Sequence, residues 1–263
     1  MKFYRFVQKS FCEMLLVDST SKCTKMCRVY FETEYDIFQN KGSVANVENY
    51  ITGLYNQVAT IYQNENINTR ISEIKIWNTV DPYTGTNTLT LLSQFQNQIS
   101  NFNGDLGQLL TFRGVGGGIA AGFNGICNSN KDLSLSVSGI SSSFQPIPTY
   151  SWSVMVVTHE FGHLFGSRHT HACVWNGNNT AIDGCSRFTE GSCSIPGIPS
   201  QGGTIMSYCH IRNVGINFSL GQSVIRKDAE PQLDKLVQLL NDFPAITKVE
   251  ISAHTDAQGG DAA

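Results

Sequence analysis

Charged residues are scarce in this sequence: aspartate, glutamate, lysine and arginine make up 15% of its 263 residues, and the net charge is −3. The chain therefore offers no basic stripe for nucleic acid and no polybasic patch for a membrane surface. It also has no apolar run long enough to span a membrane. The longest apolar run near its start is 14–17, so we identify no signal peptide. We expect that the true start lies upstream or that the chain is a piece of a longer precursor.

Phosphate-binding motifs are also missing, although the stretch GVGGGIAAGFNGIC (114–127) is rich in glycine. It contains no G-x-x-x-x-G-K-[ST] motif and no G-x-G-x-x-G that opens a helix. Glycines in an extended run more often mark a close approach of the backbone to a neighbouring strand or a bound peptide. We therefore expect an extended segment there and no nucleotide site.

Hydrophobic residues make up 41% of the chain, which suffices for a large buried core in one domain with two lobes or in two small domains. Strand and helix patterns alternate as far as residue 166. The predicted strands are 27–38, 67–77, 105–114 and 133–140, and the predicted helices are 43–64, 88–102 and 150–166. The pattern is irregular beyond that point, apart from predicted helices at 220–230 and 232–243.

Eight cysteines are many for a cytosolic enzyme, and four of them fall between residues 173 and 209. No C-x-x-C spacing supports a second zinc site there, and disulfides are most useful in a region that cannot build its own core. Our preferred pairing is Cys185 with Cys193 and Cys173 with Cys209, with Cys127 competing for one partner, but the connectivity stays open. Disulfides imply an oxidising compartment and therefore export.

The clearest chemical signal is HEFGH at residues 159–163, on the helix predicted over 150–166. Four residues along a helix advance about 400°, so His159 and His163 leave the same face roughly 6 Å apart, as two ligands of one Zn²⁺ require. Glu160 lies about 100° around the helix from His159. There it could act as a general base on the attacking water without ligating the metal itself.

Gly166 allows this helix to end in a left-handed conformation that reverses the chain. The reversal could bring His169 back over the same metal, whereas an unbroken helix would carry it away. Three neutral imidazoles suit zinc and leave one position open for water. His171, two residues further on an extended segment, should point to the opposite side. We expect His171 and His210 to be dispensable for metal binding.

The complete motif H-E-x-x-H-x-x-G-x-x-H fixes five positions, so chance produces it roughly once per three million starting points. At these residues the chain resembles the metzincin metallopeptidases, whose long zinc signature has this form. That family also has a methionine-containing turn beneath the metal, and GGTIMSYCH supplies Met206, 37 residues after His169. The resemblance implies Zn²⁺ bound by His159, His163 and His169, with Glu160 catalytic.

The glycine-rich stretch is similar to a strand-edge segment along the substrate cleft of the adamalysin branch, also called reprolysins. The resemblance covers about residues 28–230, with an N-terminal extension at 1–27 and a helix and linker-like tail at 231–263. It implies an α/β fold with a twisted mixed sheet and helices in one lobe (28–166) and an irregular, disulfide-rich second lobe (167–230). Substrate would add a strand along Gly117, Gly118, Ile119, Ala120 and Ala121.

Two positions depart from the adamalysin pattern. That branch usually places aspartate after the third histidine, where this chain has Thr170. Tyr208 follows Met206 by two positions, and in astacin-like and serralysin-like metzincins a tyrosine at this spacing can join the zinc, whereas typical adamalysins lack it. Tyr208 could therefore donate a hydrogen bond to the oxyanion, or it could merely pack the turn.

The resemblance implies a zinc endopeptidase that acts on protein or peptide substrates. From the cysteines and the composition we expect a secreted or otherwise extracytoplasmic protein that binds no nucleic acid and does not span a membrane, and we expect a monomer. Two alternatives stay open. One is a zinc-binding adhesive or inhibitory module without catalysis, against which the intact Glu160 argues. The other is a zinc hydrolase of non-peptide substrates, which an open edge strand disfavours.

Overall fold

The computed structural model describes residues 26–218 of the chain. The strands are β1 (Met26–Thr33), β2 (Asn68–Ile76), β3 (Leu106–Thr111), β4 (Gly118–Ala120) and β5 (Leu135–Gly139). The α-helices are α1 (Tyr35–Lys41), α2 (Val44–Asn64), α3 (Thr88–Gln98) and α4 (Trp152–Leu164). Two short 3-10 helices cover Lys131–Ser134 and Cys209–Ile211. Among the described residues, no helix has both the length and the apolar character that a membrane crossing requires.

The five strands form one mixed sheet in the order β2-β1-β3-β5-β4. The first four strands in that order run parallel, and β4 alone pairs antiparallel, with β5. Every residue of β3 and β5 is buried. Burial on both faces is expected of parallel strands that are covered by helices on either side. The fold is therefore the mixed α/β class that the sequence predicted, with β4 at one edge of the sheet.

Alternate side chains of the strands enter two separate cores. Val29 and Phe31 of β1 pack with α2 and α4 in the larger core. Tyr30, between them in sequence, joins Leu109 and Val137 against α3 in the smaller core. This alternation follows from the two-residue period of a strand, and it places helices on both faces of the sheet.

Helix α2 begins where the sequence predicts, at Ser43, whose hydroxyl accepts a hydrogen bond of 3.2 Å from the backbone N–H of Asn46. Its apolar residues recur at steps of three and four and form the buried face: Val47, Ile51, Leu54, Tyr55, Val58, Ile61 and Tyr62. The Tyr62 hydroxyl donates to the Thr158 carbonyl oxygen at 2.7 Å. This bond ties α2 to α4 inside the core.

Helix α4 lies within the predicted range 150–166, and every residue from Ser153 to Leu164 is buried. A helix that is buried all round is a central element and not a surface one. Its polar members are therefore enclosed by protein, although polar groups are normally buried only with a partner or a function. Three of them, His159, Glu160 and His163, belong to the predicted site.

The predicted strand over 27–38 is too long, because β1 ends at Thr33 and α1 begins at Tyr35. The Asp36 carboxylate accepts a 2.7 Å hydrogen bond from the backbone N–H of Phe112, 76 residues away. Gly42, at a φ of 78°, then ends α1 in a left-handed conformation. The hydrogen bond between Asp36 and Phe112 helps hold residues 35–41 as a helix, although the aromatic residues of this segment favour a strand. The predicted helices at 220–230 and 232–243 lie outside the described residues.

After residue 166 the described chain is irregular and is held by two disulfides, Cys173–Cys193 and Cys185–Cys209. The pairing preferred from the sequence is therefore wrong. Ala172 forms an isolated parallel β-bridge with Glu190, which brings Cys173 alongside the segment that leads to Cys193. Of the described cysteines, the buried Cys27 and the exposed Cys127 are unpaired, so Cys127 does not compete for a partner in this region.

Candidate metal centre

The helix end beside the site is formed by Gly166, which has the left-handed φ of 103° that the sequence predicted. The backbone N–H of Gly166 donates to the His163 carbonyl at 2.8 Å, and that of Ser167 donates to the Gly162 carbonyl at 2.9 Å. These two bonds form the Schellman arrangement that ends a helix and turns the chain back. The reversal returns His169 to the face of α4 from which His159 and His163 project.

The structure brings the three histidines of the long motif together. Their ligand nitrogens all lie within 4.8 Å of one another, and the Nε2 atoms of His163 and His169 are 3.1 Å apart. His159 and His163 are each 6% exposed, so this cluster lies inside the protein surface. The geometry is that of three imidazoles directed at one point.

Each of these imidazoles has a hydrogen-bond acceptor at its Nδ1 atom. The acceptors of His159, His163 and His169 are the Ile205 carbonyl at 2.7 Å, the Ser167 carbonyl at 2.9 Å and a Glu190 carboxylate oxygen at 2.6 Å. An acceptor at Nδ1 keeps the proton on that nitrogen and leaves a lone pair on Nε2. Three lone pairs that converge at this distance repel one another unless a cation lies among them. The residues therefore fit a metal ion.

Burial keeps the helical histidines in the neutral form that binds metals. It lowers the pKa of His159 well below its ordinary value, and the neighbouring His163 lowers it further. Burial also lowers the pKa of His163, to about 4, with a further contribution from His169. Both imidazoles are therefore uncharged at neutral pH.

Glu160 is buried beside this cluster, with 5% of its surface exposed. Burial raises the pKa of its carboxyl group to about 8. The side chain lies against β4, since a Cβ atom added to Gly118 would be 2.5 Å from Oε1 and 2.6 Å from Cγ of Glu160. Only glycine leaves room for the carboxylate at that position. The general-base candidate and the predicted substrate edge are thus in direct contact.

The turn that contains Met206 lies next to the histidines, since the carbonyl of the preceding Ile205 is 2.7 Å from His159 Nδ1. Met206 is 3% exposed, and its carbonyl accepts a 3.1 Å hydrogen bond from the backbone N–H of Thr170. Tyr208, two residues later, places its ring centroid 4.8 Å from that of His169. Burial raises the pKa of the Tyr208 hydroxyl, so the hydroxyl stays protonated and can donate a hydrogen bond at neutral pH.

A cleft of about 680 Å³ runs over the histidines. One wall is the glycine-rich segment 116–123, which includes all five residues of the predicted substrate edge. Helix α4 also lines the cleft, together with Tyr208, His210 and Ile211. The predicted metal ligands, Glu160 and Tyr208 therefore share one cleft with the edge strand.

Comparison with known families agrees with this geometry. A family model described as metallo-peptidase family M12, of the reprolysin type, matches residues 23–253, which is most of the chain. The chain belongs to metallo-peptidase family M12. The family implies a catalytic metal, which the three histidines could bind.

Two solved structures show a weak similarity to part of this chain. The first, titled a chaperone–substrate complex, is 14% identical with a TM-score of 0.41, and the match covers 56% of this chain and 24% of that one. The second is metalloproteinase-II from Bacteroides fragilis, 18% identical with a TM-score of 0.37, where the match covers 62% of this chain and 51% of that one. No curated protein matches the chain significantly. The family assignment therefore rests on the family model.

One expectation about this M12 site is wrong, namely that His171 points away from His169. The two rings stack at a centroid distance of 4.8 Å and an interplanar angle of 9°. Residues 169–172 form a tight turn, closed by a 3.0 Å bond from the Ala172 N–H to the His169 carbonyl, so the alternation of an extended strand does not apply. His210 lies further along the cleft, with its ring centroid 5.7 Å from that of Trp152.

Sequence reasoning missed Glu190, whose carboxylate contacts His169. It lies 21 residues after its partner, in an irregular segment with no periodicity, so no local signal indicates the contact. The backbone acceptors of His159 and His163 were missed for a simpler reason: any residue can supply a carbonyl. Only the Ser167 carbonyl is close enough in sequence, one residue past Gly166, to have been derived from the helix end.

Proposed function

We propose that this metallopeptidase is a zinc-dependent endopeptidase in which Glu160 is the general base. The observation that carries the proposal is the convergence of three imidazoles beside a buried carboxylate in a cleft bordered by an edge strand. Three histidines with an open fourth position form a ligand set typical of catalytic zinc. A zinc ion held there would supply Lewis-acid activation of water and of the scissile carbonyl.

Glu160 has the position that a general base needs. It follows His159 directly on α4, so its carboxylate is offset by about 100° from the ligand and stays beside the cluster. A zinc ion held beside this buried carboxyl group would lower its pKa and favour the ionised form. In the proposed reaction the ionised carboxylate accepts a proton from the attacking water and delivers it to the leaving amine. Tyr208, which lines the same cleft, would donate a hydrogen bond from its hydroxyl to the developing oxyanion.

The substrate backbone is proposed to pair with β4. Within the described chain this strand pairs on one side only, with β5, so its other edge has unpaired backbone groups along Gly118, Ile119 and Ala120. An extended peptide can add a strand to such an edge whatever its side chains are. Gly117 and Ala121 would continue the same contact along the cleft. An internal peptide segment fits an open edge, which supports an endopeptidase.

We also propose a location, domain bounds and an oligomeric state for this enzyme. Its two disulfides favour an extracytoplasmic location, because such bonds persist in oxidising compartments. The catalytic domain is proposed to span 28–230, with lobes that meet near residue 166. We also expect it to act as a monomer, since the proposed catalytic residues all come from one chain.

The test is proteolysis of a denatured protein by the purified chain, with and without a zinc chelator. We expect internal cleavage, seen by mass spectrometry of the fragments, that chelation abolishes and added Zn²⁺ restores. The Glu160→Gln variant is the matched control, since it should keep the metal and lose cleavage. Removal of single terminal residues would contradict an endopeptidase. Bound zinc without any cleavage would favour the adhesive or inhibitory module.

A further inference from the structure

Glu190 contacts the one histidine of the cluster that is not on a helix. Its Oε1 atom lies 2.6 Å from His169 Nδ1 and 3.3 Å from His171 Nε2. The Glu190 side chain is 37% exposed, whereas that of His169 is 14% exposed and that of His171 is fully buried. The carboxylate therefore extends from the surface loop to the edge of the histidine cluster.

We propose that Glu190 is a positioning residue for the metal, and that the Cys173–Cys193 disulfide holds it against His169. This inference rests on the proposed function, since it assumes that His169 ligates the metal through Nε2. Glu190 does not touch the metal or the substrate in this proposal. It acts through the imidazole ring of His169.

The need for such a residue follows from where the three histidines lie. His159 and His163 are oriented by α4 and donate from Nδ1 to backbone carbonyls. His169 lies in the irregular chain after the helix, so its ring orientation depends on contacts made by its own side chain. A carboxylate acceptor forms a stronger, charge-assisted bond than a carbonyl, fixes the tautomer and makes Nε2 a better donor to a metal. Glu190 supplies this acceptor.

The loop that carries Glu190 is tied to the histidine segment on both sides. The Glu190 backbone N–H donates to the His171 carbonyl at 3.0 Å, and the Cys173 N–H donates to the Glu190 carbonyl at 2.9 Å. The disulfide closes this pairing three residues further along, at Cys193. Gly191, at a φ of 112°, lets the loop pass next to the Cys173 side chain. The disulfide is thus placed to hold the carboxylate in register with His169.

A rival role for the same atoms is a second metal site. The ligand atoms of His169, His171 and Glu190 lie within 4.8 Å of one another. Apart from the 3.3 Å approach of Glu190 to Nε2, the ring nitrogens of His171 have no polar partner among the described residues. A metal there would have to displace the proton from His169 Nδ1. The 2.6 Å distance from Nδ1 to the carboxylate is that of a direct charge-assisted hydrogen bond, which favours the positioning role.

The test measures zinc affinity of the full chain by competition with a chelator, together with the visible absorption of the Co²⁺-substituted protein. Glu190→Ala should weaken zinc binding by roughly 10- to 100-fold and alter the Co²⁺ spectrum. Glu190→Gln should weaken zinc binding less than Glu190→Ala does, because the amide oxygen can still accept a hydrogen bond from His169 Nδ1. Glu48→Gln, which changes an exposed glutamate of α2, is the matched control and should bind zinc as the unmodified chain does.

The disulfide is tested by replacing Cys173 and Cys193 together with serine. This double-serine variant should also bind zinc more weakly. Adding Glu190→Ala to it should lower the zinc affinity much less than Glu190→Ala lowers the affinity of the unmodified chain. Equal zinc affinity and equal Co²⁺ spectra for Glu190→Ala and the unmodified chain would overturn the inference. So would two zinc ions per chain, of which Glu190→Ala loses one. Absence of zinc binding by the unmodified chain would instead refute the proposed function.

Discussion

Replacing Gly118 with alanine tests whether the edge strand and the general base act as one unit. The added Cβ would lie 2.5 Å from Oε1, 2.6 Å from Cγ and 2.8 Å from Cδ of Glu160. Ordinary contacts between such atoms are about 3.5–4.0 Å. The carboxylate must therefore move by about 1 Å, or β4 must move away from α4.

The size of the expected effect follows from this displacement. Glu160 is 5% exposed, so the surrounding protein limits where its side chain can go. A misplacement of about 1 Å in a catalytic group can lower the rate by roughly 10²-fold. Overpacking a buried contact typically lowers the free energy of unfolding by about 1–3 kcal/mol. The proposed metal ligands are untouched, so we expect the zinc content not to change.

The assay is kcat/KM on a quenched fluorescent peptide, with zinc content and thermal unfolding measured in parallel. Gly122→Ala is the matched control, because an added Cβ there meets no atom within 4 Å in the same glycine-rich segment. It should retain nearly full activity. A Gly118→Ala enzyme as active as the unmodified one would refute the close contact between β4 and Glu160. Equal losses in both variants would mean that the segment as a whole, and not this contact, matters.

Four further substitutions test single residues of the site. Glu160→Gln should lower activity by roughly 10²- to 10⁴-fold with zinc retained, and residual activity above a few per cent would indicate another base. His169→Ala should lose zinc, measured by metal analysis, whereas His171→Ala should keep it; the reverse result would overturn the ligand assignment. Tyr208→Phe should lower kcat by roughly 10²- to 10³-fold at nearly constant KM if the hydroxyl stabilises the oxyanion. An unchanged kcat would leave Tyr208 with a packing role only.

The parts of the site that lie on α4 could be predicted from the sequence, because local rules govern them. The helical period alone places His159 and His163 on one face and offsets Glu160 from them. The left-handed conformation of Gly166 follows from its position at the helix end, since glycine adopts that conformation without steric strain. The mixed α/β fold was predictable for the same reason: strand and helix periods are properties of short segments.

Contacts between distant, irregular segments could be decided only by the tertiary structure. The partners of Cys173 and Cys185 depend on which loops lie side by side, and spacing carries no such information. The stacking of His171 on His169 arises from a turn that has no sequence period. The contact of Glu190 with His169 and the fit of Gly118 against Glu160 join segments 21 and 42 residues apart. A local pattern specifies how a segment folds, but packing alone specifies which segment lies against it.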